Sequence, residues 1–531
     1  MAHNNDSWGS KIGVILAVAG SAVGLGNFLR FPGQVATNGG GIFMIPYFIS
    51  LLLVGIPICW AEWTMGRYGG AVGHNSTPGI FRALWRHPAS KYIGILSITI
   101  PVVIYMYYIY IEVWCLSYAL DYVLGNMRAM SAAAAPGQDI KIYEAHFAAM
   151  VGAAANGFPG GRMMFLVALT FFLNFFLIFR GVSKGIESFS KIAMPLLIVI
   201  AVVIVLRVLT LGAPNPAMPE RNIVNALGFM WNPRVEGASL WTALLNPKLW
   251  LSAAGQIFFT LSICMGVILN YASYLKRDDD VVLSGLTASA VNEFCEVCLG
   301  GMMVIPLAFM FLDVRNVQLD STFSVAFTVL PTVFHRMPLG DMFGALFFAM
   351  IFIAAITSSI SMLQPAIAFL EEGFAMGRRL SVTLLALIVS IGALIAIFFS
   401  KNLLALDTMD FWVGNFLVFV LGMIQIILFG WVFGVERAKA EISKGAEIPV
   451  PRPFWFVVKY VSPVYLLAIF AGFCYDKLAG YYKTIFQSED RVAAFVLTFV
   501  LAVALFFAVL IWLAGKRWEE KHPISEEDVI P

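Results

Sequence analysis

The sequence predicts an all-α polytopic membrane protein with about 12 transmembrane helices. It is 60% hydrophobic and only 12% charged over 531 residues, whereas soluble proteins carry about 25% charged residues. Apolar stretches long enough to cross a bilayer as helices recur along its whole length. Two of these stretches, the first and the sixth, are interrupted by small and polar residues. Because 34 basic residues nearly balance 32 acidic ones, the charge does not predict a nucleic-acid partner.

Hydropathy divides the chain into twelve predicted spans with no soluble domain, so we treat residues 1–531 as one membrane domain. Lys and Arg are concentrated in the short loops on one side, which places both termini in the cytoplasm. The interrupted first and sixth spans predict two inverted repeats of five helices, 11–213 and 248–434, with 452–518 forming two additional helices. The predicted limits of the spans are 11–37, 41–70, 89–125, 162–181, 188–213, 248–274, 280–311, 340–372, 378–399, 403–434, 452–476 and 490–518.

The first span contains the most informative segment, residues 20–27, in which glycines and small residues replace the usual large apolar ones. Glycine costs a helix roughly 1 kcal/mol relative to alanine, and a broken backbone in lipid leaves polar groups unpaired at further cost. Such a break survives where protein or a ligand satisfies those groups, and freed carbonyls suit a hard cation. The alternative is a glycine-rich face for helix packing.

The sixth span is interrupted by Thr260, Ser262 and Gly266. Hydroxyl groups can satisfy a freed backbone or coordinate a cation, although Thr and Ser also bond back to their own helix. Interruptions at corresponding positions of two halves are typical of a transporter whose binding site lies between inverted repeats. The two breaks together therefore predict a site for a substrate and a cation.

Further polar side chains lie inside predicted spans, where such groups are costly and indicate function. Their oxygens suit hard cations rather than zinc or copper. Some have a structural alternative, since Glu62 could be a hydrogen-bonded acid and Arg30 could form a plain ion pair with Asp410. No nucleophile with a base and no metal motif indicate an enzyme. The candidates are Glu62, Glu112, Asn292, Glu293, Glu296, Thr357, Ser358, Ser359 and Asp410.

Five motifs carry a family resemblance that runs from Trp8 through the twelfth span. They are residues 22–32 (AVGLGNFLRFP), 38–41 (NGGG), 255–262 (GQIFFTLS), 284–287 (SGLT) with Asn292 and Glu293, and 357–359 (TSS). With these motifs the chain resembles the neurotransmitter:sodium symporter family, most closely its bacterial leucine transporter. The resemblance implies a fold of inverted five-helix repeats in which helices 1 and 6 are broken.

The resemblance implies two bound sodium ions and no organic cofactor. Both sodium sites would combine backbone carbonyls of the broken helices with side-chain oxygens. The ligands of the first would be the substrate carboxylate, Ala22, Asn27, Thr260 and Asn292. The ligands of the second would be Gly20, Val23, Ala354, Thr357 and Ser358.

The resemblance also implies a substrate pocket between the breaks, with the Tyr108 hydroxyl on the substrate carboxylate and Phe259 covering the pocket. Amine transporters of the family carry an aspartate where this chain has Gly24, so we expect a substrate that brings its own carboxylate. Met265 and Met362 are flexible and suit larger apolar side chains. The implied pocket residues are Ser21, Ala22, Leu25, Gly26, Ile104, Tyr108, Phe259, Thr260, Ser262, Met265, Ser358 and Met362.

Charged residues are implied for the gates and for ion coupling. Arg30 and Asp410 match the outer gate pair of the family. Glu296 stands where chloride-dependent relatives have a serine, so its carboxylate is expected to replace chloride. At the inner gate, Asn5 stands where the family has an arginine. The remaining inner-gate residues are Trp8, Tyr274 and Glu372.

These observations predict a sodium-coupled symporter that imports a neutral, hydrophobic amino acid by alternating access, independently of chloride. The alternative is a sodium-dependent amino-acid sensor of the same fold without net transport. We expect a multi-pass protein of a cell membrane, by resemblance a bacterial inner membrane. The expected partners are the amino acid, sodium and the lipid bilayer, and a homodimer is compatible with the resemblance.

Overall fold

The computed structural model describes residues 8–132, 139–152, 159–233, 239–312, 323, 325–486 and 491–521. Within these ranges the chain is helical, with turns and short connections and no strand. Ten of the helices in these ranges are long and apolar enough to cross a membrane, and a pair of helices bent by 46° forms an eleventh candidate. The predicted all-α membrane class is therefore confirmed.

We number the membrane helices α1 to α12 in chain order. The broken helices are α1, formed by Lys11–Ala22 and Gly26–Thr37, and α6, formed by Pro247–Thr260 and Val267–Ser273. The unbroken helices are α2 (Gly41–Ala71), α3 (Ser90–Val123), α4 (Gly161–Phe179), α5 (Val182–Leu209), α7 (Val281–Leu312), α8 (Gly340–Phe374), α9 (Arg378–Phe398), α10 (Lys401–Ile442), α11 (Arg452–Ile485) and α12 (Val492–Glu519). Shorter helices in the connections are Thr77–Leu84, Asn126–Ala132, Asp139–Met150, Ile223–Trp231, Leu240–Leu244 and Leu330–Arg336. Each half of α6 is too short to span a bilayer alone, so a count of twelve spans depends on joining the two halves.

Most helix limits lie within a few residues of the predicted ones, and the larger differences occur at three ends. α5 begins at Val182 rather than at 188, directly after Gly181, whose φ of 89° favours glycine. α10 continues to Ile442 rather than 434, because a second helical segment restarts after Gly434 at φ 85°. α11 continues to Ile485 rather than 476. Hydropathy does not detect such extensions, because a helix that leaves the bilayer loses its apolar pattern without ending.

At the break in α1, a side chain of the same helix hydrogen-bonds to a freed backbone amide. The first half begins at Lys11, and the preceding Ser10 is its N-cap, whose hydroxyl accepts a hydrogen bond from the Gly13 amide at 3.0 Å. It ends at Ala22, and Asn27 Oδ1 then accepts from the Gly24 amide at 2.8 Å. Asn27 thus satisfies a backbone donor that the break would otherwise leave unpaired.

The break in α6 runs over residues 261–266 and contains left-handed backbone. Ser262, Cys264 and Gly266 have φ values of 51°, 62° and 73°. The Cys264 amide donates to Glu62 Oε1 in α2 at 3.2 Å, and Gln425 in α10 donates to the same oxygen at 2.9 Å. Glu62 therefore pairs the freed backbone of α6, which supports the structural interpretation of this acid.

The broken segments lie between two groups of packed helices. α2 packs against both halves of α6, and α1 packs against α7. In the other group, α3 packs along α8 and α9, and α5 packs along α8. Because α1 also contacts α5 and α8, the interrupted backbone faces side chains of both groups.

Candidate substrate and sodium site

The broken segments of α1 and α6 enclose a small cavity with α3 and α8. Its volume is about 20 Å³. Eleven of the twelve predicted pocket residues line it, whereas Thr260 does not and Gly24 does. A Cβ atom at Gly24 would lie 2.7 Å from Ser358 Oγ and 3.0 Å from the Tyr108 hydroxyl. The lining residues are Ser21, Ala22, Gly24, Leu25, Gly26, Ile104, Tyr108, Phe259, Ser262, Met265, Ser358 and Met362.

Hydroxyl groups connect the two breaks to α3 and α8 at this cavity. Ser262 Oγ donates to the Ser21 carbonyl at 3.0 Å, and Ser21 Oγ lies 2.7 Å from Ser361 Oγ. The Tyr108 hydroxyl accepts from the Leu25 amide at 3.4 Å. The polar end of the cavity is therefore built from four different helices.

The predicted ligands of the first sodium form one buried cluster. Asn27 Nδ2 lies 3.2 Å from Thr260 Oγ1 and 2.9 Å from Asn292 Oδ1. It also lies 3.1 Å from Glu296 Oε2. In its alternative amide orientation, Asn292 donates to the Ala22 carbonyl at 3.3 Å. The Asn27 NH₂ group is thus surrounded by oxygens from α6 and α7. Oxygens that converge in this way suit a hard cation.

Four of the five predicted ligands of the second sodium also meet. Ser358 Oγ donates to the Gly20 carbonyl at 3.4 Å and to the Ala354 carbonyl at 3.2 Å. Thr357 Oγ1 donates to the Ala354 carbonyl at 2.8 Å. The fifth, Val23, directly follows the first half of α1, where its amide bonds back to that half-helix. This cluster joins the break in α1 to α8.

The buried carboxylate of Glu296 accepts hydrogen bonds from four side chains. Tyr47 and Gln256 donate to Oε1 at 2.9 and 3.1 Å. Asn27 donates to Oε2 at 3.1 Å, and Thr260 donates to the same oxygen. Four convergent donors form a site for a negative charge beside the first sodium cluster. Sequence analysis did not select Tyr47 or Gln256.

Two other acidic candidates have different surroundings. Glu293 Oε2 lies 2.7 Å from the Tyr47 hydroxyl, whose single hydrogen is shared between Glu293 and Glu296, so it borders the Glu296 site. Glu112 in α3 accepts from Asn174 of α4 at 2.9 Å, and Ser359 of α8 donates to Asn174 Oδ1 at 2.6 Å. Glu112 and Ser359 therefore join three helices away from the cavity lining.

At the expected outer gate, Asn415 bridges Arg30 and Asp410. Arg30 Nη2 donates to Asn415 Oδ1 at 3.3 Å, and Asn415 Nδ2 donates to Asp410 Oδ2 at 2.9 Å. Tyr107 donates to Asp410 Oδ1 at 2.7 Å. Asn415 thus connects the two residues that the resemblance assigns to the outer gate pair. Beside it lies a second cavity of about 240 Å³, lined by Leu25, Gly26, Leu29, Arg30, Tyr107, Tyr108, Ile111, Phe259, Phe323, Leu406, Asp407 and Asp410, which we call the outer vestibule.

At the expected inner gate, Trp8 contacts Tyr271. Trp8 Nε1 donates to the Tyr271 carbonyl at 3.0 Å, and the two rings meet edge to face at 5.1 Å. Tyr274 follows the last residue of the second half of α6. Asn5 lies outside the described residues. Sequence analysis had no signal for Tyr271, which is one aromatic residue among many.

Two carboxylates hold the segments around the inner gate. Glu187 in α5 accepts from the Gly9 amide at 2.8 Å and the Ser10 hydroxyl at 3.2 Å. Glu372 lies 2.7 Å from His74 Nδ1 and accepts from two backbone amides of the connection after α2. The N-terminal segment is therefore held by hydrogen bonds to α5 and α6 in the described residues.

One known protein family matches nearly the whole chain. The family model described as SNF, sodium:neurotransmitter symporter family, matches residues 5–130 and 123–520. The chain belongs to the sodium:neurotransmitter symporter family. It is a sodium-dependent membrane transporter rather than an enzyme, and a multi-pass protein.

Similar proteins of this symporter family span nearly the same length. An uncharacterized sodium-dependent transporter of Methanocaldococcus jannaschii is 29% identical over 511 residues, which cover 93% of this chain and 97% of the relative. The sodium-dependent neutral amino acid transporter B(0)AT1 of Mus musculus is 22% identical over 546 residues, which cover 89% and 82%. The crystal structure of MhsT in complex with L-phenylalanine is 28% identical, has a TM-score of 0.73, and matches 88% of this chain and 99% of MhsT.

Proposed function

We propose that this symporter imports a neutral, hydrophobic amino acid together with sodium by alternating access, without a requirement for chloride. The central cavity is the observation that carries the proposal. There, two broken helices expose backbone groups beside Gly24, and two clusters of buried oxygens adjoin the cavity. A zwitterion and a hard cation satisfy such groups together.

The cavity lining favours a substrate that brings its own carboxylate. None of the twelve lining residues is charged, so the lining offers no counter-charge to an amine that lacks a carboxylate. The Tyr108 hydroxyl and the Leu25 amide lie together at the break in α1. Both groups are hydrogen-bond donors, and we assign them to the substrate carboxylate.

The other part of the lining favours a hydrophobic side chain. Ile104, Phe259, Met265 and Met362 supply apolar surface there. Methionine adapts to side chains of different shape. Two similar proteins support the same class, because MhsT was solved with L-phenylalanine and B(0)AT1 is named for neutral amino acids.

We further propose two sodium ions, one at each oxygen cluster. The first cluster adjoins the cavity, so the substrate carboxylate can complete its coordination. The second joins α1 to α8, so a cation there links the two groups of helices. Each sodium ion entering down the membrane potential contributes about 2.3 kcal/mol per 100 mV. That energy, with the sodium gradient, drives accumulation of the amino acid.

Uptake of a radiolabelled amino-acid panel into proteoliposomes tests this proposal. An inward sodium gradient is compared with potassium or choline in its place. We expect sodium-dependent accumulation of one or a few apolar amino acids, among Leu, Met, Phe, Tyr and Trp. Preferential uptake of dopamine or serotonin would contradict the substrate class. Sodium-dependent binding without accumulation would instead establish the sensor alternative.

A further inference from the structure

Asn415 occupies a central place in the outer gate. Its amide oxygen accepts from Arg30, and its amide nitrogen donates both to the Asp410 carboxylate and to the Asp410 carbonyl at 3.0 Å. A single side chain thus supplies an acceptor to the cation and a donor to the anion. The family resemblance had singled out only the two charged residues.

We infer that Asn415 is a positioning residue for the outer gate, and that its amide sets how readily the vestibule closes over the substrate. The inference rests on the proposed role of Arg30 and Asp410 as a gate. It extends that role by assigning the coupling between them to a neutral side chain.

On the Asp410 side of the bridge, both carboxylate oxygens are hydrogen-bonded. Tyr107 binds one carboxylate oxygen and Asn415 binds the other. Gly414 leaves room for this arrangement, since a Cβ there would lie 2.6 Å from Asp410 Oδ1. The carboxylate therefore has a defined orientation toward α1.

The Arg30 side of the bridge reaches the cover of the substrate cavity. The guanidinium carbon of Arg30 lies 4.5 Å from the centre of the Phe259 ring. Phe259 lines both the central cavity and the outer vestibule. A side chain that fixes Arg30 therefore also restrains Phe259, through the attraction between a cation and an aromatic face.

The bridge contributes a measurable free energy. A hydrogen bond to a charged group contributes a factor of about ten or more to an equilibrium constant. Without Asn415, Arg30 and Asp410 Oδ2 would bind water in the vestibule instead, whereas Tyr107 would still hold Asp410 Oδ1. The closed arrangement would therefore lose two bonds. Substrate bound beneath Phe259 would then escape outward more easily.

Uptake kinetics of Asn415→Leu provide the first test. Leucine has the same branched shape but neither donor nor acceptor, so we expect KM for the transported amino acid to rise about tenfold with little change in Vmax. Asn415→Gln keeps both functions and should restore KM toward the wild-type value. Thr408→Ala is the matched control, because in the described part of the chain its hydroxyl donates to the Leu404 carbonyl of the same helix. Equal KM values for Asn415→Leu and Asn415→Gln would overturn the inference.

A double-mutant cycle tests whether Asn415 acts through Asp410. In an Asp410→Asn background, the effect of Asn415→Leu on KM should shrink strongly, because the anion that the amide positions is gone. An undiminished effect would overturn the positioning role and assign Asn415 to local packing.

A cysteine-accessibility assay tests the gate without any transported substrate. Asp407 is exposed and lines the vestibule, so a cysteine placed there by Asp407→Cys reports how open the vestibule is. The half-buried Cys298 and Cys474 are first changed to Ser. When Asn415→Leu is added to this reporter, we expect the cysteine to react faster with a membrane-impermeant thiol reagent. When Asn415→Gln is added instead, the cysteine should react at the rate of the reporter alone. Equal rates for all three would overturn the inference. If wild-type protein took up no amino acid, the proposed function would fail while this assay still decided the role of Asn415.

Discussion

Gly24 determines the space at the polar end of the substrate cavity. We predict that Gly24→Ala lowers sodium-dependent uptake about tenfold or more, since overpacking costs about 1–3 kcal/mol. The added Cβ would meet Ser358 Oγ at 2.7 Å and the Tyr108 hydroxyl at 3.0 Å. Gly33→Ala, in the other half of α1, is the control because its Cβ meets nothing within 4 Å. Uptake by the Gly24 variant at the level of the control would contradict the cavity assignment.

Glu296 lies beside the first sodium cluster, where we propose that its carboxylate takes the place of chloride. We predict that wild-type uptake is unchanged when gluconate replaces chloride, whereas Glu296→Ser transports only when chloride is present. In that variant the donors Tyr47, Gln256 and Thr260 remain without an anion, and chloride can replace the carboxylate. Glu296→Gln is the control for chloride binding, because the glutamine amide occupies the site and leaves no room for chloride. Loss of wild-type uptake in gluconate would disprove chloride independence.

Single residues could be selected from sequence only where a motif or an unusual composition marked them. Gly24, Asn27 and Thr260 stand in such motifs, and the structure brings them to one place. Tyr271 and Asn415 stand in apolar helices without a distinguishing neighbour. Their roles depend on partners far away in the chain, and periodicity and spacing do not predict such contacts.

At the scale of elements, one glycine of the break in α6 packs closely against α3. Gly266 has φ 73°, and a Cβ there would lie 2.5 Å from the Ser97 carbonyl. We predict that Gly266→Ala lowers the thermal unfolding midpoint in detergent much more than Gly212→Ala does. Gly212 has φ 63° with open space around it, so its substitution costs only the backbone strain of roughly 1–2 kcal/mol. Equal midpoints for the two variants would show that close packing at Gly266 does not stabilise the break.

The start of α1 is held by a different set of contacts from the one that the family resemblance implied. Glu187 binds the chain entering the helix, and Trp8 packs on Tyr271. Glu372 is paired with His74 and nearby backbone amides. Hydrogen bonds and ring packing thus stabilise the described part of the inner closure, because they join α1 to both α5 and α6.

At the scale of the whole molecule, loops that the positive-inside rule assigns to one side come together. Arg67, at the end of α2, donates to the carbonyls of Asp279 and Lys444 at 2.6 and 2.7 Å. Lys91 forms an ion pair with Glu519 of α12 at 2.7 Å. The connections around α2, α3, α6, α10 and α12 therefore share one end of the helix bundle.

We predict that this end, with both termini, is cytoplasmic. A green fluorescent protein fused to the C-terminus should fluoresce in cells, and an alkaline phosphatase fusion should be inactive, because each reporter folds on only one side of a bacterial inner membrane. A phosphatase fusion inserted after residue 150, in the opposite set of connections, is the matched positive control. The reverse pattern would exchange the inner and outer gates and remove the proposed direction of transport.

The sequence by itself determined the membrane class, most helix limits and both helix breaks, and its family resemblance implied eleven of the twelve cavity-lining residues. These features follow from hydropathy, from residues that break a helix, and from local motifs. Only the tertiary structure decided that Asn415 lies between Arg30 and Asp410. It also decided that Tyr47 and Gln256 surround Glu296, and that Trp8 meets Tyr271. The physical reason is that these contacts arise where separate helices pack together, and packing angles and depths are properties of the assembled bundle rather than of any one segment.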